Sequence, residues 1–142
     1  MTGKTFVDTN VLLYAHDLDA GGKHLAAKAL LRELWMSRTG VLSTQVLQEF
    51  YVNVTRKLAR PLAHSVASEI VDTYSPWCVD VTVAEIAAAF RIEDRARIGF
   101  WDALICAAAV KCGAERIVSE DLNAGQRIAG IRIENPFVRI KR

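Results

Sequence analysis

The chain has little of what builds a disulfide framework or a zinc centre. Its 142 residues include three cysteines, Cys78, Cys106 and Cys112, an odd number with no C-x-x-C pair, so neither paired bridges nor a thiolate metal site is expected. The three histidines, His16, His24 and His64, have no useful spacing to the acids. Long hydrophobic runs are missing too. The stretch from Ala103 to Val110 is far short of the roughly 20 residues a membrane-spanning helix needs, and the N-terminus carries no apolar signal-peptide core. These absences lead to the expectation of a protein of the reducing cytoplasm with no membrane association. A formal net charge of +2 is too small to argue for nucleic-acid binding by itself. No internal repeat, low-complexity tract or Ser/Gly-rich linker divides the chain, and a single domain over residues 1–142 is expected.

With 51% hydrophobic residues, the chain can bury a real core. Short β-branched segments at Thr5–Val7, Val41–Ser43, Cys78–Val81, Ile117–Ser119 and Ile131–Glu134 alternate with longer helical patterns. Those helices are expected near Asn10–Asp17, Lys23–Arg38, Thr44–Ala59, Ala63–Tyr74, Val83–Arg95 and Trp101–Lys111. Such alternation marks an α/β domain with a mostly parallel sheet of about five strands. The Trp101–Val110 stretch is apolar on all sides apart from Asp102, the pattern of a helix buried between layers, and Gly113 reads as its stop. In the Thr44–Ala59 helix, Val46, Leu47, Phe50, Val54 and Leu58 form a core stripe, while Glu49, Asn53 and Lys57 run along one edge.

Four acids sit where the pattern changes. Asp8 and Asp121 each follow a strand, the end of an open parallel sheet where ligands bind. Asp102 opens an apolar helix, and Glu49 lies on a helix edge. Singly, each has a local explanation: Asp8 and Asp102 as N-caps, Asp121 as an Asx-turn residue, Glu49 as a solvated helix residue. Together they would repel strongly, since two carboxylates about 5 Å apart cost roughly 3 kcal/mol at an effective dielectric of 20. A divalent cation neutralises such a ring most simply, and an all-oxygen donor set favours Mg²⁺ or Mn²⁺ over zinc. A cation so held can activate water for in-line attack on a phosphodiester. Thr9, Asn10 and Ser119 are neutral neighbours that orient a water or a carboxylate, or else cap locally. Glu120 is a spare acid whose side chain should point away from that of Asp121. Three cationic clusters, Arg56/Lys57/Arg60, Arg91/Arg95/Arg97 and Arg139/Lys141/Arg142, either hold phosphates or are ordinary solvated faces.

Two enzyme lookalikes fall away on single residues. Gly3-Lys4-Thr5 imitates the end of a P-loop without its preceding strand or upstream glycine. A haloacid-dehalogenase-like phosphatase needs a second aspartate two residues after the first, where this chain has Asn10.

With Asp8-Thr9-Asn10-Val11-Leu12, Glu49 in the helix after the second strand, Phe100-Trp101-Asp102-Ala103-Leu104-Ile105, Ser119-Glu120-Asp121-Leu122 and the closing Asn135-Pro136-Phe137, the chain resembles a PIN-domain nuclease. The likeness is greatest to the VapC-type toxins of bacterial toxin–antitoxin pairs. That resemblance implies an α/β/α sandwich, Mg²⁺- or Mn²⁺-dependent endoribonuclease activity on an RNA substrate, a homodimer, and a cognate antitoxin that occludes the site. It also implies that Asp8, Glu49, Asp102 and Asp121 are the acidic quartet, with Asp8, Asp102 and Asp121 contacting the metal. A non-catalytic RNA-binding inhibitor is the contrasting expectation.

Overall fold

Thr5, Phe6 and Val7 are wholly buried, as a β-branched and aromatic run should be in a parallel strand covered on both faces. In the computed structural model, which describes residues 3–140, this run is β1 (Lys4–Val7), flanked in parallel by β2 (Gly40–Ser43) and β4 (Ala114–Val118). Beyond β2 lies β3 (Cys78–Val79), and beyond β4 lies β6 (Ile131–Glu134), both parallel to their neighbours. The antiparallel strand β5 (Arg127–Ile128) completes the sheet, in the order β3-β2-β1-β4-β6-β5. The chain moves outward from β1 to β3, then returns to the other side of β1 at β4. The boundary between β1 and β4 is therefore the topological switch point, where a crevice opens at the carboxyl ends.

Among the described residues, six α-helices cover the sheet: α1 (Thr9–Ala15), α2 (Gly22–Ser37), α3 (Thr44–Arg56), α4 (His64–Tyr74), α5 (Val83–Ala96) and α6 (Phe100–Lys111). They form two groups, α1 touching α2 and α3 with α4 against α3, and α5 packed on α6. The result is the expected α/β/α sandwich. Small residues let α5 and α6 approach closely, with Ala89, Ala103 and Ala107 buried between them. Ala103 to Ala109 are all buried, as an all-apolar helix requires, but its ends emerge: Trp101 is 64% and Val110 48% exposed. Gly113, at φ +72°, supplies the left-handed turn that stops α6.

The sixth strand departs from the five expected. Two residues are too few to show a period of two, and the turn between β5 and β6 is Ala129-Gly130, with φ of +52° and +81°, rather than an Asn-Gly or Asp-Gly signature. The third strand is also shorter than Cys78–Val81, because the backbone amide of Val81 turns to the Thr44 hydroxyl at 3.2 Å. Of the cationic clusters, Arg60 is engaged bidentately by Asp19 at 2.9 and 3.0 Å, whereas Arg91, Arg95 and Arg97 are exposed; Lys141 and Arg142 lie outside the described residues. No helix among the described residues is long and apolar enough to cross a membrane.

Candidate active site

Two adjacent strand ends build the centre. Val7 and Val118 are register partners, so the residues that follow them, Asp8 and Ser119, leave the sheet side by side. The Asp8 amide donates to the Val118 carbonyl at 3.1 Å, and the Ser119 hydroxyl donates to Asp8 Oδ2 at 2.7 Å. The same Ser119 oxygen accepts from the backbone amides of Asp121 and Leu122, each at 3.2 Å. One fully buried hydroxyl thus fixes Asp8 and shapes the turn that carries Asp121.

Asp8 is indeed an N-cap, its Oδ1 accepting from the Thr9 amide at 2.7 Å, but the cap and the site are one group. Starting α1 at the strand end points the next two side chains across the crevice. The Thr9 hydroxyl donates to Glu49 Oε1 at 2.7 Å, and the Asn10 amide donates to Asp121 Oδ2 at 2.7 Å. The Thr9 and Asn10 side chains thus each meet a carboxylate rather than a local backbone group. Asp102 occupies the first turn of α6, where its charge meets the positive end of the helix dipole. Among the described residues, nothing donates a hydrogen bond to its carboxylate.

Gln45 was not singled out in the sequence. One turn before Glu49 on α3 and buried, it donates from Nε2 to Glu49 Oε2 at 3.5 Å and to the Trp101 carbonyl at 3.2 Å. It ties the helix of Glu49 to the helix of Asp102. The available signal was a polar residue beside the α3 core stripe at i, i+4 from the acid, which alone does not distinguish a bridge from a surface amide. Glu120 is held by other partners, forming an ion pair with Lys23 and accepting from the Tyr14 hydroxyl at 2.6 Å, although its charge still bears on Asp121. The Lys23 ammonium also lies 5.1 Å from the centre of the Tyr14 ring.

The acids feel one another. Burial pushes Asp8 from its ordinary 3.8 up to about 6, against the lowering effect of the Ser119 and Thr9 hydrogen bonds, and the charges of Asp121 and Asp102 raise it further. Asp102 is raised by burial, then by Asp121 and Glu49; Asp121 is raised by burial, then by Glu120 and Glu49. Cys106, one turn beyond Asp102, is pushed up to about 12, chiefly by burial and then by Asp102 and Asp8. Its thiol stays protonated and is no nucleophile.

Among the described residues, no three acids, histidines or cysteines already stand in a metal-ligating group. Three of the four carboxylates instead rest on protein donors. What fits a hard divalent cation is the donor chemistry: oxygen only, concentrated negative charge, and three carboxylates held above their ordinary range by burial and then by neighbouring acids.

The PIN domain family model matches residues 5–130. The chain belongs to the PIN domain family. No curated protein matches this PIN domain. Among solved structures it is similar to FitAcB from Neisseria gonorrhoeae, with a TM-score of 0.69 and 18% identity over 94% of this chain and 99% of that one. DNA-bound VapBC from Salmonella typhimurium gives 0.64 and 21% over 95% and 99%. VapC20 of Mycobacterium tuberculosis, a sarcin–ricin loop cleaving toxin, gives 0.62 and 20% over 83% and 90%. At these identities the likeness is one of fold.

Proposed function

We propose that this PIN domain is an endoribonuclease dependent on Mg²⁺ or Mn²⁺, the toxin of a toxin–antitoxin pair. The observation that carries the reading is the linkage of the acids at the switch point: Asp8 through Ser119 to the turn of Asp121, Asp121 to Asn10, and Glu49 to Thr9. Asp8, Asp102 and Asp121 are the residues that would hold the cation, with Glu49 beside them acting through water. When bound, Mg²⁺ or Mn²⁺ supplies charge neutralisation, an activated water and stabilisation of the in-line transition state.

The protein's part is to hold these acids still. Ser119 and the Thr9 amide leave Asp8 no rotational freedom, Thr9 and Gln45 aim Glu49, and Asn10 aims Asp121. Cys106 is fully buried and its thiol is pushed up to about 12, so it does not compete with water as the nucleophile in this reading. Attack by Asp8 itself, the phosphatase alternative, lacks its acid–base partner, since the Asn10 amide cannot give up a proton to a leaving group.

The toxin reading agrees with the toxin–antitoxin complexes among the similar folds. A cognate antitoxin is favoured by an apolar groove of about 720 Å³ between α2 and α4 that includes Leu31, Trp35, Met36, Leu62, Val66 and Tyr74. Homodimerisation rests on the family resemblance, and a cytoplasmic setting on the three unpaired cysteines of the sequence. The test is incubation with total cellular RNA in Mg²⁺ or Mn²⁺, beside a chelated sample and Asp102→Asn, with new RNA ends mapped by sequencing. Discrete cuts lost in both controls support the reading; RNA bound but left intact under every condition turns it toward an occupancy-based inhibitor.

A further inference from the structure

Two consecutive acids, Glu120 and Asp121, follow the end of β4, and α1 holds both. Asn10 donates to Asp121 Oδ2 at 2.7 Å, and the Tyr14 hydroxyl donates to Glu120 Oε1 at 2.6 Å. The two donors stand one helical turn apart on one face of α1. Their acids differ in what they reach. The charge of Asp121 bears on Asp8 and Asp102, whereas that of Glu120 bears on Asp121 and is met by the Lys23 ammonium, which pairs with its Oε2. Lys23 is in an uncommon place for a lysine. It is the second residue of α2 and is buried, with 11% of its side chain exposed, which costs solvation and is rarely seen unless the charge is paired. Its ammonium lies 5.1 Å from the centre of the Tyr14 ring and 5.9 Å from that of Phe137, and those two rings meet edge-on at 5.2 Å. The ion pair thus ties the turn after β4 to α1, to α2 and to the closing segment. An apolar pair of similar volume often holds a fold equally well; what the charges add is a fixed direction for Glu120.

We infer that Lys23 is a positioning residue for the cation site: by capturing Glu120 it sets the turn after β4 so that Asp121, and not its neighbour, is presented beside Asp8 and Asp102. The two acids are adjacent on one backbone, so the direction of one limits the direction of the other. A Glu120 released from Lys23 would be attracted by the same cation, and admitting it would disturb the hydrogen bond of Asp121 to Asn10. The Lys23 ammonium is itself committed to Glu120, so it acts through that carboxylate and the turn rather than on substrate.

The inference rests on the divalent-cation part of the ribonuclease reading and is tested by binding, without cleavage. Mn²⁺ is titrated calorimetrically into the full chain at pH 7.5, with melts confirming that each variant is folded at the titration temperature. The deciding variant combines Lys23→Met with Glu120→Gln. It removes one charge of each sign, so the net charge is unchanged and only the brace is gone, and it leaves no unpaired buried charge to prevent folding. It should bind Mn²⁺ about 10-fold more weakly, the lower end of what residues that orient metal ligands are worth. Lys23→Met alone should also lose affinity, against the direction in which the uncompensated Glu120 charge acts. Lys23→Arg should keep most of the affinity, and Leu34→Ala, which weakens the core near the far end of α2, should bind as the wild type does. Undiminished affinity in the double variant, tighter binding by Lys23→Met, or a loss that arginine does not prevent overturns the inference. So does an equal loss in Leu34→Ala, which assigns the effect to stability alone. A wild-type chain that does not bind Mn²⁺ overturns both this inference and the metal-dependent reading. If the wild type binds Mn²⁺ and cuts RNA while the double variant binds normally, only this inference fails; if the brace governs Mn²⁺ affinity but nothing is cut, the nuclease reading fails alone.

Discussion

Replacing Asp8 by asparagine should remove the activity and stabilise the fold. Burial pushes this carboxyl from 3.8 up to about 6, so above pH 6 folding forces an ionised group into a poorly solvated place. At about 1.36 kcal/mol per pH unit the burden is roughly 3 kcal/mol. Asparagine carries no charge and can still accept from the Thr9 amide. Its amide, however, faces a Ser119 oxygen that already accepts from the Asp121 and Leu122 amides, so one donor there goes unpaired, which offsets about 1–2 kcal/mol. The net gain near pH 8 is therefore about 1–2 kcal/mol, or roughly 3–7 °C in melting temperature for a chain of this length. The sign follows from linkage: a carboxyl raised in the folded state binds more protons folded than unfolded between pH 3.8 and about 6. The wild type consequently loses stability as pH rises through that window, and the gap between variant and wild type should open there and close below about pH 4. Thermal melts by circular dichroism in chelator, from pH 4 to 8.5, give the answer. A variant no more stable than wild type at pH 8, or a gap that ignores pH, would refute the reasoning.

Other outcomes follow from the same contacts. Ser119→Ala removes the hydroxyl that holds Asp8 and accepts from two backbone amides; it should cost about 2 kcal/mol in denaturant melts and lower cleavage roughly 10- to 100-fold. Lys23→Met takes the ammonium from beside Glu120, both side chains being largely covered at 11% and 19% exposure; a loss of about 3 kcal/mol is expected, and adding Glu120→Gln should restore part of it in a double-mutant cycle. Cleavage should fall as pH drops below about 6, because protonated Asp8 cannot hold a cation; a rate constant from pH 5 to 8 counts against its role.

Much of this arrangement could be read in the chain because the strand ends announce themselves. Asp8 and Asp121 follow β-branched runs, and Asp102 opens an all-apolar helix, so local pattern alone locates three of the acids. What the pattern cannot carry is who meets whom. Thr9 reaches Glu49 across 40 residues, Asn10 reaches Asp121 across 111, and Gln45 reaches the Trp101 carbonyl across 56. The Asn10 pairing depends on strand order, which places β4 beside β1 only after β2 and β3 have been added on the far side. Lys23 illustrates the limit well: in the sequence it is one cation among 18 lysines and arginines, and only the packing of α2 against the loop after β4 makes it the partner of Glu120. The edge strand β5 was illegible for a simpler reason, since it takes its conformation from β6 and not from its own two residues.

The central claim is that Asp8, Asp102 and Asp121 act together on one divalent cation. Calorimetric titration of Mn²⁺ into the wild-type chain and into Asp8→Asn, Asp102→Asn and Asp121→Asn tests it most directly, at pH 7.5 and without RNA. The account predicts binding by the wild type that each substitution abolishes or weakens at least tenfold. Undiminished binding in all three variants, or none in the wild type, would contradict it.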